Sequence, residues 1–455
     1  MIDINVDFSL EKGKIKPLHG FNNVARKTGY GEVLNDFMGL SPPFVRLHDT
    51  GGTYGGSHYV DVPNIFPDFS ADADDPASYD FTLTDYYLKP VAEAGISVMY
   101  RLGVTIEHEP KKYNIYAPSD PNKWADICEH IVRHYNDGWA DGFFWNIEYW
   151  EIWNEPDGID PKVEPYGPPN WIGTAEEYYR LYSITANHIK RLHPEVKIGG
   201  YSSCYILGAN VNGKWTPGPY EYFTDFLEYI TAPETKAPLD FFTWHGYLSR
   251  QYLEKIEIES KFVDEMLNKY GFYDTLRIDA EWNCCICDKE TEDYRRQYYI
   301  NMRTNKGASH VAASLYEMQR LKVDAAMFYD AQLWCEYGCL FDVPSLEPSK
   351  TYYAFKQFSE LYNLSCWCYS ESRDKVYSLA AKGEYNMLAV SNITEASQHI
   401  SINIKGNLYK NYELYLLDDM HCLEKIADGE AGESLCVELP PYSFCSIKFR
   451  KKVLL

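Results

Sequence analysis

The sequence predicts an α/β fold, a (β/α)8 TIM barrel joined to a C-terminal antiparallel β-sandwich. Two observations predict it. As far as about residue 350, eight short apolar runs alternate with longer amphipathic stretches, the pattern of a parallel sheet wrapped by helices, and the count of eight favours closure into a barrel. Beyond that point the runs alternate apolar and polar residues, with turns between them, as in an antiparallel sheet with one buried face.

The barrel-strand candidates are 18–22 (LHGFN), 44–48 (FVRLH), 97–102 (SVMYRL), 147–153 (IEYWEIW), 197–201 (KIGGY), 240–245 (DFFTWH), 276–282 (LRIDAEW) and 325–330 (AAMFYD). Stretches 122–135, 176–193 and 307–321 carry helical periodicity between them. Segment 50–80 is turn-rich and reads as an extended loop after the second strand, on the face where barrel active sites form. Runs 376–381, 386–391, 398–404, 412–417 and 443–449 are the strands of the second domain. The N-terminal run 2–9 (IDINVDFS) alternates in the same way and is expected to pair with that sheet. The expected partition is 1–15 as a strand added to the β-domain, 16–350 as the barrel and 351–455 as the sandwich, with a boundary helix at 350–362.

A net charge of −23 disfavours nucleic acid as a partner, because phosphate neutralisation needs clustered Lys and Arg. No run approaches the ~18 apolar residues of a membrane span. The opening MIDINVDFSLEKGKIKP lacks the basic-then-apolar order of a secretory signal, so a cytoplasmic location with reduced thiols is expected for a chain of 12 cysteines. Cys284, Cys285 and Cys287, and the pair Cys366 and Cys368, lack the paired spacing of a zinc site. His130 and His134 lie four apart on one helix with no acidic ligand beside them. No metal and no cofactor is expected. The high aromatic content (40 Tyr, 11 Trp) suits core packing and sugar stacking equally.

The chemistry concentrates in 148–157, EYWEIWNEPD. The apolar run is the fourth barrel strand, and active sites lie where such strands emerge. Pro156 ends the strand, so Glu155 is presented at the barrel mouth, where apolar neighbours are expected to raise its pKa as a general acid requires. Glu281 closes the seventh strand in RIDAEWN. A facing pair of carboxylates at a barrel mouth is the machinery of glycoside hydrolysis.

Together with FVRLH (44–48), PNKWADICEHIVRHYNDG (121–138), EEYYRLYSITANHIKRLHPEVKIGGYSS (176–203), LDFFTWHGY (239–247) and PSKTYYAF (348–355), these motifs resemble glycoside hydrolase family 39, the family of β-xylosidases and α-L-iduronidases. The resemblance runs through most of the barrel and, more weakly, the C-terminal sheet. Asn-Glu-Pro recurs across the wider clan of barrel glycosidases; the ordered set with His-x-Tyr after strand six is more specific. The resemblance implies that Glu155 is the acid/base and Glu281 the nucleophile of a retaining mechanism. It implies that Asn154 bonds the sugar 2-hydroxyl in the −1 subsite, that Tyr247 bonds the nucleophile, and that His245 supports the site from the same strand end. Arg46 is implied to sit near Glu281 and keep it ionised.

The chain departs from the β-xylosidase pattern at two strand ends. Strand two ends Arg46-Leu47-His48-Asp49 without the following glycine, and strand eight ends Phe328-Tyr329-Asp330 rather than at a tryptophan, with Trp334 slightly later. His48, Asp49, Tyr329, Asp330 and Trp334 are therefore candidate substrate contacts, joined by His19, His108 and Trp282. Asp49 reads equally as a turn cap before Gly51 and Gly52, and Trp334 equally as loop packing. The expectation is a cofactor-independent retaining exo-glycosidase, β-xylosidase by default, releasing a pentose from oligosaccharides derived from plant polysaccharides. Its alternatives are an arabinosidase or another specificity of the same family, and a non-catalytic carbohydrate-binding protein on the same scaffold. Neither a membrane nor a nucleic acid is expected as partner; a homo-oligomer is compatible with the sequence.

Overall fold

The structure, a computed structural model, describes the chain except for residues 27–31, 52–57, 106–110, 159–169, 205, 212–213, 218–219, 249–252, 288–293, 334, 336, 344 and 451–455. The first half contains strands β1 (Ile2–Lys14), β2 (Gly20–Asn22), β3 (Phe44–Leu47), β4 (Ser97–Leu102), β5 (Tyr149–Ile152), β6 (Lys197–Ser203), β7 (Leu207–Val211) and β8 (Lys214–Pro217). Strands β9 (Phe241–Tyr247), β10 (Leu276–Asn283) and β11 (Ala325–Phe328) follow. The helices are α1 (Leu34–Met38), α2 (Val62–Ile65), α3 (Thr82–Glu93), α4 (Pro121–Asn136), α5 (Ala175–Leu192), α6 (Tyr220–Thr231), α7 (Glu254–Lys269), α8 (Tyr294–Asn301), α9 (Asn305–Arg320) and α10 (Lys350–Leu364). The C-terminal strands are β12 (Cys366–Ser370), β13 (Val376–Lys382), β14 (Asn386–Asn392), β15 (Gln398–Lys405), β16 (Asn411–Leu417), β17 (Cys422–Glu430), β18 (Ser434–Leu439) and β19 (Ser443–Arg450).

Among the described residues, β2, β3, β4, β5, β6, β9, β10 and β11 close into a parallel barrel in that order. Each coincides with one of the eight apolar runs. The longer helices start where the sequence caps them. Asp120 accepts from the amides of Asn122 and Lys123 ahead of α4, with Pro121 at the first helical position. Thr174 and Glu177 form a reciprocal capping box at α5. The described part of segment 50–80 carries α2 and a 3-10 turn at Pro76–Ser78.

Met99, Tyr149, Phe241, Ile278, Ala280, Ala325 and Met327 fill the lower barrel. Two residues further along the same strands, side chains of that parity become polar: Arg101 follows Met99, Glu151 follows Tyr149 and Thr243 follows Phe241, all fully buried. The apolar floor thus supports a polar layer at the C-terminal ends of the strands. In β10 a register shift falls between Asp279, opposite Trp244, and Glu281, opposite His245. That irregularity breaks strict alternation. Ala280 packs in the floor, Glu281 reaches the polar layer, and Trp282 lies on the outside against Phe328 and Phe355.

β1 pairs antiparallel with β12 and parallel with β15. It thereby joins, among the described residues, a nine-stranded sheet ordered β17-β16-β19-β14-β13-β12-β1-β15-β18, whose other pairings are antiparallel. The sheet curls over itself into a sandwich: Phe8 of β1 meets Phe449 of β19 edge-on at 5.7 Å, inside one core with Ile402, Val437 and Leu388. Its outer face docks on α9 and α10, where Gln357 donates to the Cys445 carbonyl at 2.9 Å and Ser391 to the Ser309 carbonyl at 2.8 Å. No helix among the described residues is long and apolar enough to cross a membrane.

Candidate active site

Arg46, at the end of β3, organises the polar layer. Its Nε donates to Glu151 Oε2 at 2.7 Å, Nη1 to Asn22 Oδ1 at 2.9 Å and to Glu281 Oε1 at 2.7 Å, and Nη2 to Asn154 Oδ1 at 2.6 Å and to Ser202 Oγ at 2.8 Å. Every guanidinium hydrogen direction is used, which a lysine could not match. Burial opposes the charge, but Glu151 and Glu281 outweigh it and raise the Arg46 pKa.

β5 ends at Ile152, and the next three residues make the turn that exposes the carboxylate. Trp153 (φ 71°) and Glu155 (φ 48°) both adopt left-handed backbone, a conformation that costs non-glycine residues on the order of 1–3 kcal/mol each. The turn is pinned to both neighbours, the Trp153 amide donating to the Leu102 carbonyl at 2.8 Å and the Glu155 amide to the Ser202 carbonyl at 3.0 Å. Asn154 Oδ1 is taken by Arg46, while the buried Asn154 Nδ2 has no hydrogen-bond partner among the described residues.

Glu155 and Glu281 face one another with His245 between them. His245 Nδ1 lies 2.6 Å from Glu155 Oε1, and Nε2 lies 3.4 Å from Glu281 Oε1. Oxygens of the two carboxylates and a nitrogen of His245 all lie within 4.8 Å of one another. Glu281 Oε2 accepts from the Tyr247 hydroxyl at 2.8 Å, and Glu155 Oε2 accepts from Asn170 Nδ2 at 2.8 Å. Burial pushes the Glu155 pKa up, but the charge and hydrogen bond of His245, then Cys204 and Lys112, carry it below the usual value. Burial likewise disfavours the His245 cation, and Glu281 and Glu155 overcome this, raising its pKa. The expectation of a raised Glu155 pKa is thus corrected: the site is not apolar around it, and the adjacent His245 favours the carboxylate. These three residues are also the described residues whose ligand atoms converge tightly enough for a metal ion. Arg46 Nη1 donates to Glu281 Oε1 beside them.

A second layer surrounds this centre. The Tyr329 hydroxyl donates to Asp49 Oδ2 at 2.8 Å, and His48 Nε2 lies 3.4 Å from Asp49 Oδ1 and 3.9 Å from Glu281 Oε1. Burial pushes the Asp49 carboxyl up to about 8, against the Tyr329 hydrogen bond, with Glu281 adding to the rise. Asp330, raised to about 7 chiefly by burial, is held by Asn23 Nδ2 at 3.1 Å and by the Gln332 amide at 2.5 Å. Beside them Arg101 Nη2 donates to Asp61 Oδ1 at 2.7 Å.

Residues 57–270, which span β4, β5, β6 and β9 and hence Asn154, Glu155, His245 and Tyr247, match the family model described as glycosyl hydrolases family 39. Over this stretch the chain is similar to glycoside hydrolase family 39. A β-xylosidase from Geobacillus stearothermophilus is 24% identical over 232 residues, covering 46% of this chain and 40% of that enzyme, so the match spans well under half of the relative's length. Among solved structures, a glucosidase from Croceicoccus marinus superimposes with a TM-score of 0.77 at 21% identity, covering 99% of both chains. A family 39 β-xylosidase from Caulobacter crescentus does so with a TM-score of 0.66 at 15% identity, covering 99% of this chain and all (100%) of that one. Both show the same barrel-and-sheet fold.

The barrel brings Glu155, Glu281, Asn154, His245, Tyr247 and Arg46 into one connected network, with His48, Asp49 and Tyr329 next to it. Asp330 lies beside it, occupied by Asn23 and Gln332. Two candidates lie elsewhere. His19 is buried against Phe358 and Tyr362 of α10, where burial lowers its pKa to about 3. Trp282 points outward because of the β10 irregularity. His108 and Trp334 lie outside the described residues. The Asp49 carboxylate meets Tyr329 and His48. His130 and His134 sit on α4, outside the barrel, with Nδ1 against the Asp126 and Trp139 carbonyls; contrary to the expectation, acidic groups lie beside them, Asp85 Oδ1 3.1 Å from His134 Nε2 and Asp74 Oδ1 3.6 Å from His130 Nε2.

Sequence reasoning missed Glu151, Ser202, Asn22 and Asn170. Glu151 was visible in principle: it shares the strand parity of Tyr149, so a charge there points into the barrel and needs a buried cation. Nothing local marks the other three, which matter only through tertiary contact.

Proposed function

We propose that the protein is a retaining exo-glycosidase of the β-xylosidase type, acting on short oligosaccharides with a pentose in the −1 subsite. The observation that carries this reading is the approach of Glu155 and Glu281, with carboxylate oxygens within 4.8 Å across His245. Carboxyl groups about 5–5.5 Å apart suit double displacement, whereas inversion needs roughly 6.5–9.5 Å to admit a water between them. The matched β-xylosidase supports the choice of sugar.

In this reading Glu281 attacks the anomeric carbon while the bond to the leaving oxygen breaks and Glu155 protonates that oxygen. Glu155 then takes a proton from water, the water attacks the anomeric carbon, and Glu281 is released. Arg46 and Tyr247 hold one oxygen each of Glu281, which fixes its aim. His245 Nδ1, 2.6 Å from Glu155 Oε1, is within reach to exchange the proton that Glu155 delivers. Asn154, its oxygen fixed by Arg46, offers Nδ2 to the sugar 2-hydroxyl.

A panel of nitrophenyl glycosides tests the substrate: β-xyloside, both arabinosides, β-glucoside, β-galactoside and α-iduronide. The β-xyloside is expected to turn over fastest. A faster arabinoside would establish the alternative specificity, and turnover of none, with sugar binding retained, would leave a carbohydrate-binding protein.

A further inference from the structure

Beyond Glu155, on the side away from His245 and Glu281, the chain builds a second hydrogen-bonded arm. Glu155 Oε1 faces His245; Oε2 accepts from Asn170 Nδ2 at 2.8 Å, and Asn170 Oδ1 in turn accepts from Lys112 Nζ. An ammonium has only donors, so Lys112 must meet the amide oxygen of Asn170. The amide is thereby oriented with its NH2 towards Glu155. The arm is held firmly. The Trp153 indole donates to the Asn170 carbonyl at 3.1 Å, the Ile172 amide to the Ile115 carbonyl at 2.7 Å, and the Ala117 amide to the Ile172 carbonyl at 3.1 Å. Asn170 is buried, Lys112 is half-buried, and Tyr116 stands 61% exposed at the outer end.

We propose that Lys112 and Asn170 are a positioning pair that fixes the plane of the Glu155 carboxyl on the leaving-group side and holds down its affinity for protons. The inference rests on the acid/base reading of Glu155. A fixed NH2 donor on Oε2 favours the carboxylate, and the Lys112 charge acts in the same direction. If the amide turned over, its oxygen would face Glu155 and require a proton there. Among the described residues, the charged and titratable groups around Glu155 are His245 from β9, Glu281 from β10, Cys204 just after β6, Asp157 from the turn after β5, and Lys112. Among the described residues, Lys112 is the lysine whose charge acts on Glu155. The pair matters most for poor leaving groups, such as a second sugar, because these need the proton in the transition state.

The test compares wild type with Lys112→Met, Lys112→Arg and Asn170→Asp, using xylobiose and dinitrophenyl β-xyloside. For xylobiose, the alkaline limb of kcat/KM reports the acid that must stay protonated. Lys112→Met should move this limb upward by about half a pH unit or more, since loss of a nearby cation raises a carboxyl pKa. Asn170→Asp, which adds a negative charge, should move it further. Lys112→Arg should restore it. Rates with the dinitrophenyl substrate, at its own plateau, should change less than those with xylobiose. A limb unmoved in Lys112→Met, or moved equally in Lys112→Arg, overturns the proposal, since a merely structural role would lower rates without shifting the limb. Glu155→Gln is measured alongside. If it keeps full activity on xylobiose, the acid/base reading itself fails; if it loses that activity while Lys112→Met leaves the limb in place, only the positioning pair fails.

Discussion

His245 Nδ1 and Glu155 Oε1 lie 2.6 Å apart, and this contact sets which of the two holds the proton in the resting site. Glu155 is lowered and His245 raised, each by the other. Replacing His245 by Ala leaves burial of Glu155 opposed only by weaker groups, so its pKa should rise. The titration of the Glu155 carboxyl, followed by infrared spectroscopy, should then move up by about one unit or more. The stability effect has the opposite windows for the two groups. The lowered Glu155 contributes above its unfolded value of 4.5 and loses this as pH falls; the raised His245 contributes below its unfolded value of 6.5 and loses this as pH rises through its folded value. Urea unfolding should therefore separate wild type from His245→Ala more at pH ~5.5 than at pH ~9. Equal separation at both would mean that the contact carries no proton linkage.

Arg46→Lys should be severely impaired although the charge is kept. The guanidinium makes five hydrogen bonds to five side chains, and an ammonium cannot span Glu151, Glu281 and Asn154 together. The expected loss is about 100-fold or more in kcat/KM. Losing one partner of a buried ion pair costs about 3–5 kcal/mol, so Arg46→Ala should unfold far more readily in denaturant. Near-normal kinetics for Arg46→Lys would show that charge alone is what the site needs.

Asp49→Ala should lower kcat/KM about tenfold to a hundredfold if its carboxyl bonds sugar hydroxyls, each charged bond contributing roughly 1.5–3 kcal/mol. Its raised pKa makes a separate prediction. The folded state keeps a proton that the unfolded chain releases above 3.8, so this group lowers stability progressively as pH rises from there to about 8. Asp49→Asn removes that term, and its melting temperature should fall less than that of wild type between pH ~5 and pH ~8. A variant with full activity and only an altered pH–stability curve would make Asp49 a structural residue.

The parts of the molecule that depend on local periodicity were legible in the sequence. The eight barrel strands and helices α4, α5 and α9 follow from apolar spacing, and the Asn154-Glu155 turn from the break after β5. β17 was not legible, because LEKIADGE at an exposed sheet edge has no buried face to impose alternation. Trp282 was misplaced because the β10 register shift leaves no mark in composition. The lowered pKa of Glu155 was missed because it depends on His245, which lies 90 residues away in the chain.

The central claim, double displacement with Glu281 as nucleophile, is tested most directly by trapping the glycosyl-enzyme. The protein is incubated with a 2-deoxy-2-fluoro-β-xyloside bearing a dinitrophenyl leaving group, and the labelled peptide is identified by mass spectrometry. The account predicts one fluoroxylosyl group per chain, attached to Glu281, with release of dinitrophenol in a single burst. Label on Glu155, or hydrolysis of the ordinary xyloside to inverted xylose with no adduct formed, would contradict it.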